Sequence, residues 1–233
     1  MSRILQKLMA MYEAMRKHFG HRAWWPSQDG ADTPEGKLEI CLGAILTQNT
    51  SWRNVEAALD NLRAAGRLSL TDIDAMPPEQ LAELIRPAGY FNVKARRLKD
   101  FAAAVRAAAG DDVAGFLDRP AETLREELLA IRGVGLETAD SMILYAAGKP
   151  SFVVDAYTFR ILVRHGLIGF DDDYASVKAL FESSLPDDVA LWNDFHAQLV
   201  ETGKRFCKKR RPQCDGCPLE PFEHDPEAGM EYL

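Results

Sequence analysis

"IRGVGLETAD", residues 131–140, is the stretch on which the reading of this chain turns. Helix-forming runs flank it, "LLA" before and "SMILYA" after, so a Gly-Val-Gly turn separates two helical segments. Two glycines take backbone angles that side chains forbid, and they let the chain reverse within a few residues. The amides that open the second helix then project together. With the positive end of the helix dipole, they suit a phosphate oxygen. Such a grip needs no basic side chain, which matters in a chain of formal net charge −7. The same turn also serves as an ordinary interhelical connection, and taken alone it fits both readings.

Outward from the turn the pattern is helix after helix. Leu5, Leu8, Met11, Tyr12, Met15 and Phe19 recur at three- and four-residue steps, an amphipathic helix over 4–19. Further helices are predicted over 35–48, 51–65, 78–88, 92–109, 121–132, 136–147, 155–165, 173–184 and 187–204. Pro78 and Pro120 mark helix starts, and Gly66, Gly110 and Gly148 mark stops. Only "SFVV", residues 151–154, looks strand-like, and it is too short to found a sheet. The expected class is all-α.

The chain has 233 residues, of which 47% are hydrophobic and 27% charged, an ordinary balance for a globular protein with a real core. No apolar run is long enough to span a bilayer. The first twenty residues are charged throughout and have no small-residue cleavage pattern, so a secretory signal is not expected. A cytoplasmic setting follows as an expectation, with the four cysteines as thiols or metal ligands rather than disulfides. The net charge hides a polarised C-terminal end. Six basic residues lie between Gly203 and Gln213 with no acidic one, and six acidic residues follow from Cys214 onward with no basic one.

Several landmarks occur in a telling order. "GAILTQNTSW" (43–52) precedes "GYFNVKARRLKDF" (89–101). Then come the hairpin, "AAGKPSFVVDAYTFR" with Asp155, and Cys207-x6-Cys214-x2-Cys217. Over nearly the whole chain this resembles the helix–hairpin–helix DNA glycosylases of the endonuclease III superfamily. The resemblance implies two helical lobes flanking a DNA-binding cleft, one spanning 38–150 and carrying the hairpin. The other combines 1–37 with 151–233 and ends in the cysteine loop. Asp155 and Gln48 are expected to face the cleft, and the partner is double-stranded DNA containing a damaged base, bound by a monomer.

Base excision takes the nucleotide out of the stack and stabilises a sugar with oxocarbenium character, for which a carboxylate is the useful group. The resemblance assigns that role to Asp155, a residue that would also cap a helix starting at Ala156. In the family's bifunctional members a lysine stands at position 137, where its amine attacks the sugar. Here the residue is Glu137, and its spacing of 18 residues to Asp155 is the family spacing. A carboxylate cannot form a Schiff base, so base removal by water is expected. Glu137 itself reads as an acid favoured in a first helical turn. Gln48 takes the position of the residue that fills the hole left by the extruded nucleotide. Gln48, Asn49, Gly133, Val134, Gly135, Lys208, Lys209, Arg210 and Arg211 form the expected DNA-contacting set; loop capping by Gln48 and Asn49 and a merely solvated basic loop are the plainer readings.

Cys207, Cys214 and Cys217 match three cysteines of the family's iron–sulfur loop. The fourth falls at Glu223, with His224 next. A [4Fe–4S] cluster is expected with His224, Glu223 or an exogenous fourth ligand, or in a labile or lost form; zinc through Cys3His is the other possibility. Cys41, in an apolar helical run, reads as a buried thiol. Trp24 and Trp25 form a paired-tryptophan loop that, with "LTQNT" and no catalytic lysine, looks most like the 3-methyladenine DNA glycosylase III branch. They are candidates for a base-stacking wall or for a plug between lobes. Alternative activities are an endonuclease III-like glycosylase/lyase on oxidised pyrimidines, with a lysine such as Lys149, a mismatch-specific glycosylase, and a DNA-binding scaffold without chemistry.

Overall fold

The structure, a computed structural model, describes residues 3–22 and 25–229. Trp24 therefore lies outside the described residues. Among these the fold is all-helical, with no strand. No described helix is long and apolar enough to cross a membrane. The chain divides into two compact units, Trp25–Lys149 and Met1–Trp24 with Pro150–Leu233.

The continuous unit is built round α2 (Pro34–Leu46), which Thr33 caps through the Gly36 amide. Leu38, Ile40, Cys41, Leu42, Ala44, Ile45 and Leu46 are all buried. A helix apolar on all sides belongs at the centre. It packs on α3 (Trp52–Ala64), α6 (Phe91–Ala109), α7 (Val113–Leu117), α9 (Leu136–Ser141) and the π-helical turn Met142–Ala146 that continues α9. Burial pushes the Cys41 thiol up to about 12, so it is an inert core residue. The predicted helix over 78–88 is interrupted. Proline disfavours helical backbone just before it, so α5 (Pro78–Leu84) ends ahead of Pro87 and one 3₁₀ turn (Arg86–Ala88) follows. Two short helices had no sequence counterpart. α4 (Leu70–Ala75) is held by its Ser69 cap and by Lys99, which donates to Ile73 O and Met76 O at 3.3 and 2.7 Å. α7 is capped by Asp112. Gly66, Gly110 and Gly148 all stop their helices with positive φ. Residues 25–37, expected with the other lobe, belong here: Trp25 packs on Trp52 and Tyr145, and Lys37 donates to Ala146 O at 2.8 Å.

The discontinuous unit joins α1 (Arg3–Phe19) to α12 (Val189–Arg205), with α10 (Ala156–Arg164) against α12 and α11 (Tyr174–Ser184) alongside. Buried Asp194 ties the N-terminal segment down, accepting from Tyr12 Oη and the Arg22 amide, both at 2.7 Å. Residues 151–154 are extended and buried but pair with no strand. Side chains supply their partners instead: Glu182 accepts from the Phe152 amide at 2.9 Å, and Lys178 donates to Phe152 O at 3.3 Å. Phe152 stacks on Phe181 with centroids 3.8 Å apart, which fixes the segment leading to Asp155.

Candidate functional site

The hairpin joins α8 (Ala121–Ala130) to α9. Ile131 and Val134 are buried, which anchors the turn, while Gly135 and Leu136 are exposed. Gly133 has φ +90°, and a Cβ placed there would meet the Arg97 side chain at 2.4 Å, so glycine is required for conformation and for space. Behind the turn, Arg125 of α8 donates to both carboxylate oxygens of the wholly buried Asp140 at 2.8 and 3.2 Å. This clamp fixes the two helices, and the amides of the first turn of α9 have no carbonyl partner within the helix. An acid inside the apolar run "TADSMILYA" was the sequence signal that could have found it. Glu137 is exposed on this first turn, where its carbonyl accepts from Ser141 Oγ at 2.7 Å.

Gln48 is joined to the hairpin. Its Nε2 donates to Gly133 O at 3.2 Å and Thr138 Oγ1 at 2.9 Å, and its Oε1 accepts from Arg97. Asn49, its neighbour, is exposed with φ 55°. Tyr90, which the sequence did not single out, is 72% exposed and also left-handed, with φ 47°. Gln48, Asn49, Tyr90, Val93, Lys94 and Arg97 line one open depression. Lys94 is buried beneath it and donates to Leu46 O at 2.8 Å and Ala88 O at 2.7 Å, fastening both loops. Burial, with Arg97 nearby, lowers its pKa to about 8. Trp25 is half-buried, with its ring 5.1 Å from Trp52 edge-to-face and 5.4 Å from Tyr145. It lies against Gly43, where an added Cβ would come within 3.3 Å of its Nε1.

In the discontinuous unit, Asp155 caps α10: Oδ1 accepts from the Thr158 amide at 2.7 Å. Oδ2 lies 3.8 Å from Nε2 of His196, an imidazole on α12 that burial keeps towards its neutral form. The carboxylate side chain is 11% exposed. Capping thus fixes one oxygen and the orientation of the group, and the second oxygen stays off the backbone. His196 was missed because a single histidine in a helix carries no signal of its partner.

The cysteine loop follows α12. Arg160 and Arg164 of α10, both buried, hold it: Arg160 Nε donates to Cys207 O at 2.7 Å, and Arg164 donates to Lys208 O and Lys209 O at 2.9 and 3.0 Å. Arg164 Nη1 also lies 3.2 Å from Cys207 Sγ. The loop's carbonyls are pinned inward while the side chains of Lys208, Lys209, Arg210 and Arg211 are exposed. Cys207, Cys214, Cys217 and His224 line one small cavity, partly open to solvent, with Arg164 and His165. As bare thiols Cys214 and Cys217 are raised by burial, Cys217 to about 11, which is the acidity a bound metal would reverse. Among the described residues no three His, Cys, Asp or Glu side chains converge on a single ion. Glu223 is exposed, and its carbonyl accepts from His165 Nδ1 at 3.1 Å.

Residues 42–187 match the family profile of HhH-GPD superfamily base excision DNA repair proteins. MJ1434 of Methanocaldococcus jannaschii, named provisionally as a DNA repair glycosylase, is 42% identical over 218 residues, covering 93% of this chain and 96% of its own. Endonuclease III of Thermotoga maritima is 30% identical over 183 residues, 78% of this chain and 80% of its own. Among solved structures, the Helicobacter pylori 3-methyladenine DNA glycosylase MagIII bound to 1,N6-ethenoadenine is similar with a TM-score of 0.71 and 28% identity, over 87% of this chain and 97% of that one. The hairpin, the carboxylate that follows it and the profile match lead to one conclusion: the chain belongs to the HhH-GPD superfamily of base excision DNA repair proteins.

Proposed function

We propose that this DNA glycosylase is monofunctional and removes an alkylated purine, such as 3-methyladenine, from double-stranded DNA by hydrolysis. The observation that carries the reading is Glu137 on the first turn of α9, where the family's lyases present a lysine. Lys149 is a poor substitute, because its Nζ is already engaged, donating to Leu117 O at 2.6 Å. The similarity to MagIII supports the substrate class.

The chemistry suits the residues. N-alkylation makes the purine a cationic leaving group. When the glycosidic bond breaks, the base takes the bonding pair and departs neutral, so no acid need protonate it. Asp155 stabilises the oxocarbenium ion and accepts the proton of the water whose oxygen bonds to the anomeric carbon. The products are the free base and an abasic site. In this reading the Gly133, Val134 and Gly135 turn and the free amides that open α9 hold a backbone phosphate, Gln48 and Asn49 meet the duplex at the lesion, and Lys208 to Arg211 add charge contacts. Trp24 and Trp25 stack on the extruded base, where a cationic ring gains roughly 0.5–2 kcal/mol from an electron-rich indole.

The cysteine loop suits an iron–sulfur cluster: three thiols share one cavity, and an Arg164 N–H faces Cys207 Sγ. Bound there through Cys207, Cys214 and Cys217, a cluster would supply a rigid core for the basic loop.

The test is product analysis on duplexes carrying alkylated, oxidised or mismatched bases. Release of 3-methyladenine without prompt strand cleavage, and without a borohydride-trapped protein–DNA adduct, is expected. A strong trapped band, or faster processing of oxidised pyrimidines or mismatched thymine or adenine, would overturn the assignment.

A further inference from the structure

We propose that His224 is the fourth ligand of the cluster, completing a Cys3His set through its Nε2. The inference rests on the cluster reading above.

Four observations converge on this residue. The position that a fourth cysteine would take is Glu223, but that side chain is exposed and does not line the cavity that Cys207, Cys214 and Cys217 share. His224, one residue later, does line it. The Nδ1 of His224 lies 2.7 Å from Phe222 O. A carbonyl only accepts, so Nδ1 is the donor, and in the neutral ring Nε2 then carries the lone pair, the tautomer that a metal-binding imidazole needs. Finally, the loop backbone at Glu223 is pinned by His165, whose ring sits 5.3 Å from that of His224. His165 is the other imidazole of the cavity, but it ends α10 and its Nδ1 already serves the loop.

The four side chains line one cavity. A zinc ion draws its ligands to within about 2.0–2.3 Å of one point. A cubane places each ligand at a different corner, so the four donors surround a cavity rather than meet in it. An imidazole in place of a thiolate removes one negative charge from the cluster environment. The Arg164 N–H facing Cys207 Sγ acts in the same direction, and both raise the reduction potential.

The test uses the full chain purified without oxygen. Iron and sulfide analysis comes first: a chain with zinc, or with no metal, would remove the cluster reading and this inference with it. On cluster-loaded protein, pulsed electron paramagnetic resonance of the reduced state should show strong coupling to one directly bound nitrogen. That coupling should change on labelling histidine with ¹⁵N. It should vanish in His224→Cys while the cluster persists at a lower reduction potential, and it should survive in Glu223→Gln and His165→Asn. A loaded wild-type cluster without nitrogen coupling would overturn the assignment, as would coupling that persists in His224→Cys or is lost in His165→Asn. The isotope experiment needs no variant, so a folding defect in one substitution leaves the question answerable.

Discussion

The hairpin and the cysteine loop are two ways of presenting positive potential on an acidic protein. The hairpin offers uncharged backbone amides, set by Gly133 and clamped from behind by Arg125 and Asp140. The cysteine loop offers four exposed basic side chains, and its own carbonyls are turned inward by Arg160 and Arg164. In the proposed reading the first grip depends on geometry and the second on charge. They should therefore fail differently under salt, substitution and pH.

The largest difference is expected in salt dependence. Replacing Lys208, Lys209, Arg210 and Arg211 by Ala should lower the affinity for abasic-site DNA by on the order of 10²-fold at low salt. Each lost phosphate contact should flatten the log–log salt slope by about 0.9. Gly133→Ala should weaken binding at every salt concentration with the slope unchanged. Equal slope changes in both variants, read by fluorescence anisotropy, would erase the distinction.

Removing the loop's anchor comes next. Arg164→Leu leaves Lys208 O and Lys209 O without their donor and should cost on the order of 3 kcal/mol. Denaturant unfolding measures it, and a loss below about 1 kcal/mol would mean that the loop holds itself. A pair of glycines sharpens the comparison at smaller scale. Gly133→Ala combines left-handed strain with the Arg97 contact and should cost about 2 kcal/mol. Gly216→Ala, with φ +75° and nothing within 4 Å of the added methyl, should cost only roughly 1 kcal/mol. The reverse order would show that Arg97 moves aside freely.

The smallest effect is a pH slope. The folded pKa of Lys94, about 8, lies below its ordinary 10.5, so between those values the unfolded chain binds more protons. Its burial penalty is therefore full below pH 8 and is relieved as pH rises towards 10.5. The melting temperature of the wild type should gain on that of Lys94→Met across this window; parallel curves would mean that Lys94 is better solvated than its burial implies.

What the sequence disclosed, and what it hid, follows from whether a residue's role is local. The Gly133 and Gly135 turn, the Asp155 cap and the stops at Gly66, Gly110 and Gly148 depend on backbone angles or on amides a few residues away, and all were legible. The wholly apolar α2 was legible as a helix, though not as the unit's centre. α4 escaped because Lys99, 23 to 26 residues on from the carbonyls it binds, helps hold it. Arg160 and Arg164 escaped notice, since nothing nearby in sequence tells of carbonyls more than forty residues ahead. Residues 151–154 had the composition of a strand; Lys178 and Glu182 do the work that a neighbouring strand would have done.

Under the proposed function, in which Gln48 enters the duplex, its docking carries a kinetic consequence. Its amide holds Gly133 O, Thr138 Oγ1 and Arg97 at once. Leaving three hydrogen bonds, each with a net value of about 0.5–1.5 kcal/mol, sets a threshold of roughly 1.5–4.5 kcal/mol before the side chain can enter a duplex. At equilibrium it would be deployed in about 8% of molecules or fewer. A protein sliding along intact DNA would thus travel with its probe retracted and lose little time at sound base pairs. Only a site already weakened, where stacking opposes entry least, would return enough energy to draw the probe out, so a filter for damage would operate before any base reached the proposed catalytic group, Asp155.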